Sequence, residues 1–580
     1  MHLRLVLSIA AAGVIGRASA ASNTTAGHTL AQWDPCQGFT FDAAGESDVP
    51  SFNAECMVFA APLCYPGVCE APANVNPNIE IFVKRVAATA GDAKNAPNLL
   101  LVPGGPGVSS ETLESALDLL SAKLGGAVNV YLMEHRGTGR STRLDCVASQ
   151  STTTGSPSGL QVEPSEVPAC AQVLQETYGS LASFSTTSGA MDLATFISEY
   201  TNGAPTFVFG RSYGTAVIQR LMQLNPPTVT GYVLDSVMAT AVAPDKKFYH
   251  SSRDTMFGEV GEQFMNLCAQ DSNCAAQFKD KSLSATLHDL LAKFDSDASS
   301  TCAALVAEYT KKSPSAGLRD QLGSILNNQN LRSLIAPLVY RFNRCDPSDV
   351  PALTQFLQIN TEEESRTDVN DALASKLLTN VIFFSEMWET PIPSLAELQT
   401  RFTTAGISNQ AVYESLSWFC AYSKEQSAQC EEFGVGSYNA NGIIYPHDQY
   451  WDKLATVPST ASVLLLAGGL DPLTPAKYTK SLFEALDTPN KELIVFDYSS
   501  HSVIASTPIG DGETTCGFNL LISYVAGNGN LNSLDKSCMA QVAGFDMALP
   551  PDTVSYLFGT NDAYGSAQAP TGQTEQITPA

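Results

Sequence analysis

Gly210-Arg211-Ser212-Tyr213-Gly214 follows a short apolar run, Thr206-Phe207-Val208-Phe209, and leads into Thr215-Ala216-Val217-Ile218-Gln219-Arg220-Leu221-Met222, which reads as a helix. A strand, a Gly-x-Ser-x-Gly turn and a helix make the context of a nucleophile elbow. The two glycines let the backbone turn sharply and leave the serine hydroxyl at the tip of the strand. With 41 glycines in 580 residues the five-residue pattern alone is a weak signal. It constrains the fold only if the rest of the chain supplies a parallel sheet and the partners a serine needs.

The chain does supply apolar runs of strand length. They are Ile79-Glu80-Ile81-Phe82-Val83, Leu99-Leu100-Leu101-Val102, Val128-Asn129-Val130-Tyr131-Leu132-Met133, Tyr232-Val233-Leu234, Val463-Leu464-Leu465-Leu466 and Leu493-Ile494-Val495-Phe496, besides the run before the elbow. Near-continuous apolar strands imply a parallel sheet covered on both faces. Helical stretches such as 111–123 separate several of them, so the pattern is α/β. The alternation stops near residue 240 and resumes near 461. Between these points Leu283, Leu287, Leu290, Leu291 and Phe294 fall on one helical face. Similar patterns occur in 331–342 and 372–388. An insertion of about 200 residues between two strands reads as a helical cap over a site.

The first residues look like a secretory leader, with Arg4 before a short apolar stretch and Ala18-Ser19-Ala20 as the small-residue cleavage pattern. The expected division is a signal peptide over 1–20, a first core part over 21–240 and the cap over 241–445. A second core part follows over 446–510, then a C-terminal region over 511–563 and a disordered tail over 564–580. The tail call rests on its Gly, Pro, Ser, Thr and Gln content. The 14 cysteines are an even number in a chain expected to meet an oxidising compartment. Cys64 with Cys69, Cys268 with Cys274 and Cys420 with Cys430 are close neighbours. Cys36 with Cys56, Cys146 with Cys170, Cys302 with Cys345 and Cys516 with Cys538 bracket plausible loops. Spacing alone does not prove this connectivity. No Cys-x-x-Cys pair exists and the seven histidines do not cluster with cysteines, so neither a metal nor a cofactor is expected. The formal charge is −26, and loss of Arg4 and Arg17 with the leader lowers it by two, to −28. Such a surface repels nucleic acid and anionic lipid. The sequon Asn23-Thr24-Thr25 is a candidate glycosylation site.

A serine hydroxyl is a poor nucleophile at neutral pH and needs a histidine base oriented by an acid. After an elbow these follow in the order acid, then histidine. Asp471 lies in a loop just past the strand Val463–Leu466. His501 follows the next strand and is the only histidine after Asp471. Asp235, after the strand following the elbow, and Asp497, four residues before His501, are the competing acids. The oxyanion of acyl transfer needs two N–H donors. Pro103-Gly104-Gly105-Pro106-Gly107 follows Leu99–Val102, and Pro106 carries no N–H, so the expected donors are the amides of Gly105 and Tyr213. Glu134-His135-Arg136-Gly137-Thr138-Gly139-Arg140-Ser141 reads as a tight turn with an internal salt bridge beneath that loop. His135 precedes the serine, which leaves it a surface or supporting role.

Gly104-Gly105-Pro106-Gly107, Arg136-Gly137-x-Gly139-x-Ser141 and Gly210-x-Ser212-Tyr213-Gly214 together resemble α/β-hydrolases of the prolyl aminopeptidase family. The cap and the cysteine-bearing C-terminal region are similar to its secreted tripeptidyl-aminopeptidase branch. The resemblance covers most of residues 30–560. It implies an α/β-hydrolase fold and a secreted serine exopeptidase acting on peptides with a free N-terminus. It also implies Ser212, Asp471 and His501 as the triad and Gly105 and Tyr213 as the oxyanion hole. Members of the family recognise the substrate amine with acids from the cap, and Glu386 and Glu389 are the candidates here. The chain departs from the family at Pro103, where histidine is common, at Glu134-His135 in place of Asp-Gln, and at Arg211 in place of glycine. An esterase using the same triad is the rival reading.

Overall fold

The computed structural model describes residues 32–41, 52–146, 161–365, 372–510 and 514–565. The expected leader, the sequon at Asn23 and the tail beyond residue 565 lie outside the described residues. Tyr564, where that tail was expected to begin, instead packs edge-on against Tyr340 at 5.6 Å. No helix among the described residues is long and apolar enough to cross a membrane.

Nine strands form one sheet: β1 Asp34–Gln37, β2 Asn53–Pro62, β3 Asn78–Val86, β4 Asn98–Val102, β5 Asn129–Met133, β6 Thr206–Arg211, β7 Val229–Asp235, β8 Ser462–Gly468 and β9 Lys491–Phe496. Their order is β1-β2-β3-β5-β4-β6-β7-β8-β9. From β5 to β9 every pairing is parallel. β4, β5 and β8 are buried along their whole length, as a sheet covered on both faces requires. Leu99, Leu101, Phe207, Phe209 and Leu464 pack with the helices Glu114–Lys123 and Cys516–Ala526. Leu100, Val102, Val208, Leu234 and Leu465 face the helices Thr186–Glu199 and Tyr213–Leu224.

The run Ile79–Val83 is the exception to the parallel reading, because β3 pairs antiparallel with both β2 and β5. Its partner β2 was not expected. β2 buries Met57, Phe59 and Ala61 and turns Val58 and Ala60 outward, so it carries alternation rather than an apolar run.

The chain leaves β4 for β5 on one side, crosses back to β6 on the other, and then proceeds to β7, β8 and β9. The order therefore reverses between β4 and β6. The crevice beyond the carboxyl ends of strands at such a reversal is where open α/β sheets bind ligands. The loop after β4 is the Gly104–Gly107 segment and the loop after β6 is the elbow.

Between β7 and β8, residues 236–461 form the helical insertion. The helix Leu283–Ser296 buries Leu283, Leu287, Leu290, Leu291 and Phe294, the face expected from their spacing. These residues belong to a hydrophobic cluster of the insertion's own, which also takes in Leu470, Val554 and Phe558. The insertion touches the loops at the carboxyl edge of the sheet. Ser375 N–H donates to Gly107 O at 2.8 Å, Thr379 Oγ1 donates to Pro106 O at 2.8 Å, and Gly139 N–H donates to Leu373 O at 2.9 Å.

All seven cysteine pairs are those proposed from spacing, with Cα–Cα distances from 5.1 to 6.1 Å and no free cysteine. Seven disulfides fit an oxidising compartment.

Arg136 anchors the turn after β5 and is wholly buried. It does not join the salt bridge within that turn, which is made by Arg140 and Glu134 at 2.9 Å. Arg136 Nε and Nη2 instead fork onto the Asp192 carboxylate at 2.6 and 2.5 Å. Nη1 donates to Leu63 O and Ser183 O, and Nη2 also donates to Pro62 O. One guanidinium thus ties the end of β2, the turn after β5 and the helix Thr186–Glu199. Removing one member of a buried pair strands the other charge, at about 3–5 kcal/mol. Arg136→Met should lower the urea unfolding free energy by that order, and adding Asp192→Leu should restore part of the loss. An Arg136→Met protein as stable as wild type would show that the fork contributes nothing net.

Candidate active site

Ser212 adopts φ 56° and ψ −123°, a left-handed φ that an L-residue holds only at a cost of order 1–3 kcal/mol. The surroundings enforce it. A Cβ on Gly214 would lie 2.5 Å from Val102 O and 2.7 Å from Pro103 O. One on Gly210 would lie 2.7 Å from Ile218 Cδ1 and 2.8 Å from Gly214 C. Both motif glycines are therefore required by close backbone approach. The Ser212 N–H donates to Asp235 O at 2.9 Å, and Thr215 Oγ1 donates to Ser212 O at 2.6 Å.

Asp471 and His501 come together as expected, 2.8 Å apart from Oδ2 to Nδ1. Asp471 is fully buried and every contact favours its charged form. Its Oδ1 accepts the amides of Leu473 and Thr474 at 2.9 Å each, and its Oδ2 also accepts Thr474 Oγ1 at 2.7 Å. Burial alone would raise its pKa, but the His501 imidazole and these hydrogen bonds hold it below the ordinary carboxylate value. Thr474 was not singled out from sequence. A threonine three residues after an aspartate in a proline-flanked turn is nevertheless a turn signal of the Asx type.

Asp235, the rival acid, has a different task. Its Oδ1 and Oδ2 accept the amides of Val503 and Ile504 at 2.8 and 3.0 Å, just after His501. The neighbouring Ser236 Oγ accepts the Ser502 amide at 2.9 Å. One residue thus receives the nucleophile's N–H on its carbonyl and the histidine loop on its carboxylate. Burial raises the Asp235 pKa against these amides, opposite to the direction at Asp471. Arg211 sits opposite Asp235 in the β6–β7 register. Burial lowers its pKa and the Asp235 charge opposes that shift. Among the described residues its guanidinium makes no hydrogen bond or ion pair. Asp497 contributes its carbonyl to the close packing against Gly469, just past the end of β9.

The loop after β4 lies against the elbow, since a Cβ on Gly104 would be 3.1 Å from Ser212 Cβ. Gly105 has φ 113°, and a Cβ there would meet the amides of Gly107 and Val108 at 2.8 Å. The Gly105 and Tyr213 amides donate to no acceptor among the described residues. Tyr213 is the first residue of its helix, where an N–H has no partner within the helix. His135 is buried behind this site rather than on the surface. Its Nε2 lies 3.3 Å from the Tyr213 hydroxyl, its Nδ1 bonds Arg136 O at 2.6 Å, and burial lowers its pKa.

Both Glu386 and Glu389 are engaged within the protein. Glu386 Oε1 accepts Tyr445 Oη at 2.6 Å and the Thr186 amide at 3.1 Å, and Oε2 accepts Arg220 Nη2 at 3.1 Å. Glu389 is held by Arg401 Nη1 at 2.5 Å and by Ser251 Oγ at 2.7 Å. Each carboxylate neutralises a cation of its own protein. Arg220 and Arg401 lie in other segments, so the local sequence around the glutamates does not show the pairing.

The segment that follows the glycine loop holds an unusual acid. Both Glu111 carboxyl oxygens are buried without a hydrogen-bond partner among the described residues. Burial pushes its pKa up to about 7; the residue's own backbone amide, close enough to act on the carboxyl, opposes the rise, the charges of Glu134 and Glu114 add to it, and Arg140 opposes it.

No family model and no curated protein matches the chain. Among solved structures it is similar to an esterase from Exiguobacterium antarcticum, at 11% identity and a TM-score of 0.26 over 73% of this chain and 89% of that one. It is also similar to mouse alpha/beta hydrolase domain-containing protein 10, at 10% identity and a TM-score of 0.28 over 77% and 93%. The epoxide hydrolase VrEH1 from Vigna radiata gives 12% identity and a TM-score of 0.25 over 76% and 93%. Scores this low carry nothing about chemistry. The α/β-hydrolase fold is read from the sheet itself, with an elbow after β6, a helical insertion after β7, an acid after β8 and a histidine after β9.

Glu111→Gln should make the protein more stable at neutral pH. A carboxyl whose pKa is raised on folding binds more protons in the folded state, so stability falls as pH rises from about 4.5 to about 7. The thermal midpoint of Glu111→Gln should exceed that of wild type at pH 8 and should depend less on pH across that window. Parallel pH profiles for the two proteins would mean that Glu111 titrates normally.

Proposed function

We propose that the protein is a secreted serine hydrolase that cleaves peptide bonds near a free N-terminus through an acyl-enzyme on Ser212. The observation that carries the hydrolase reading is the 2.8 Å Asp471–His501 bond at the same sheet edge as the strained Ser212 elbow. His501 takes the Ser212 proton during attack and returns it to the leaving group, while Asp471 fixes the imidazole tautomer and stabilises the imidazolium. The amides of Gly105 and Tyr213 receive the developing oxyanion. The peptide preference rests on the sequence resemblance, and secretion on the leader-like N-terminus together with seven disulfides. A secreted esterase with the same triad is the second reading. It is supported by the engagement of Glu386 with Arg220 and of Glu389 with Arg401, pairings that a substrate ammonium group would have to share.

A substrate panel separates these readings. It contains free and N-acetylated mono-, di- and tripeptidyl chromogenic amides and short acyl esters, each tested with wild type, Ser212→Ala and Asp471→Asn. Wild type should cleave free-amine peptides in preference to acetylated ones. Ser212→Ala and Asp471→Asn should each lower kcat by about 10⁴-fold or more. Equal cleavage of free and blocked peptides sinks the aminopeptidase reading, and ester turnover without amide turnover establishes the esterase. Full activity in Ser212→Ala rejects the nucleophile.

A further inference from the structure

Asp235 and Ser236 hold the histidine loop from the sheet. A second tether holds it from the insertion. Gln329 lies between the helix Pro314–Asn327 and the turn Arg332–Leu334. Its carboxamide oxygen accepts the Ser500 amide at 2.9 Å, and its nitrogen donates to Ser506 O at 2.7 Å. Ser500 directly precedes His501, and Ser506 ends the short helix Val503–Ser506 that follows it. Arg332, three residues on from Gln329, donates to Tyr498 O. Within the loop, Ser506 Oγ donates to Ser500 O at 3.2 Å and Ser499 Oγ to Ser506 O at 3.1 Å.

Both backbone groups bound by Gln329 belong to buried residues, since Ser500 is 4% and Ser506 6% exposed. Loss of the carboxamide leaves a buried N–H unpaired and weakens the hold on a buried carbonyl. The Ser500 amide then regains a partner by moving or by taking up a water that holds it less firmly. Movement of the peptide at Ser500 carries the His501 ring with it. A misplacement of about 1 Å at a catalytic group costs on the order of 100-fold in rate.

We propose that Gln329 is a positioning residue for His501, so that the helical insertion as well as the sheet sets the geometry of the catalytic base. This rests on Ser212 and His501 acting as nucleophile and base. Glutamate at this position keeps the acceptor for Ser500 N–H, but it can donate to Ser506 O only when protonated. Gln329→Glu therefore recovers function as pH falls, and Gln329→Ala does not.

The experiment measures the rate at which a fluorophosphonate blocks Ser212 in the full-length protein, between about pH 5 and about pH 9. It compares wild type, Gln329→Ala, Gln329→Glu and Ser212→Ala, with the thermal midpoint of each. The expected result is labelling slowed about tenfold or more in Gln329→Ala. With the best substrate of the panel, kcat should fall in parallel and KM should change by less than about twofold. Gln329→Glu should approach wild type at the acid end of the range. Labelling of Gln329→Ala within twofold of wild type overturns the proposal. So do losses that follow the thermal midpoint with no acid recovery in Gln329→Glu. Labelling that persists in Ser212→Ala instead removes the nucleophile assignment on which the proposal stands.

Discussion

The fixed point of the molecule is the buried Asp235 at the end of β7. Its backbone carbonyl receives the Ser212 amide and its carboxylate receives the amides of Val503 and Ile504. The elbow and the histidine loop thus hang on one residue at the centre of the parallel sheet. A charge placed there is costly because burial disfavours it. Three donors, from two loop amides and Ser236, offset that cost and specify one conformation of the loop. Among the described residues Asp471 is then left to a single hydrogen-bond partner outside its own turn, the His501 imidazole. Two buried aspartates, one at the tip of β7 and one shortly after β8, divide the work of holding the loop and orienting the ring.

The glycine loop after β4 depends on a different kind of support. It carries no side chain that could anchor it, so its neighbours do so through its carbonyls. Thr379 and Ser375 of the insertion bond Pro106 and Gly107. Beneath it, Glu134 gathers Ser110, Arg140 and the Ser141 amide.

Much of this is legible in the sequence, for a physical reason. Strands buried on both faces are apolar throughout, so β4, β5, β6 and β8 announce themselves, and the elbow, acid and histidine follow those strands at short range. β2 was missed because it has one buried and one open face and alternates. The ion pair of Glu386 is not legible in the sequence because a carboxylate's nearest cation can lie far along the chain. Arg220 precedes Glu386 by 166 residues. Gln329 was invisible for the same reason, standing 171 residues before Ser500. Local pattern reports burial and turns; pairing between distant segments is decided by the packed fold.

Each of the seven disulfides joins a cysteine to the next cysteine along the chain, from Cys36–Cys56 to Cys516–Cys538. No bridge encloses another and none links the insertion to the sheet. A chain oxidised from its N-terminus as it is synthesised therefore meets the correct thiol first at every step. Of the many pairings that 14 thiols allow, the native one is the one that needs no reshuffling. The covalent framework can be complete in each segment before the sheet has its last strands. The join between insertion and sheet is then left entirely to reversible contacts, the Gln329 carboxamide among them.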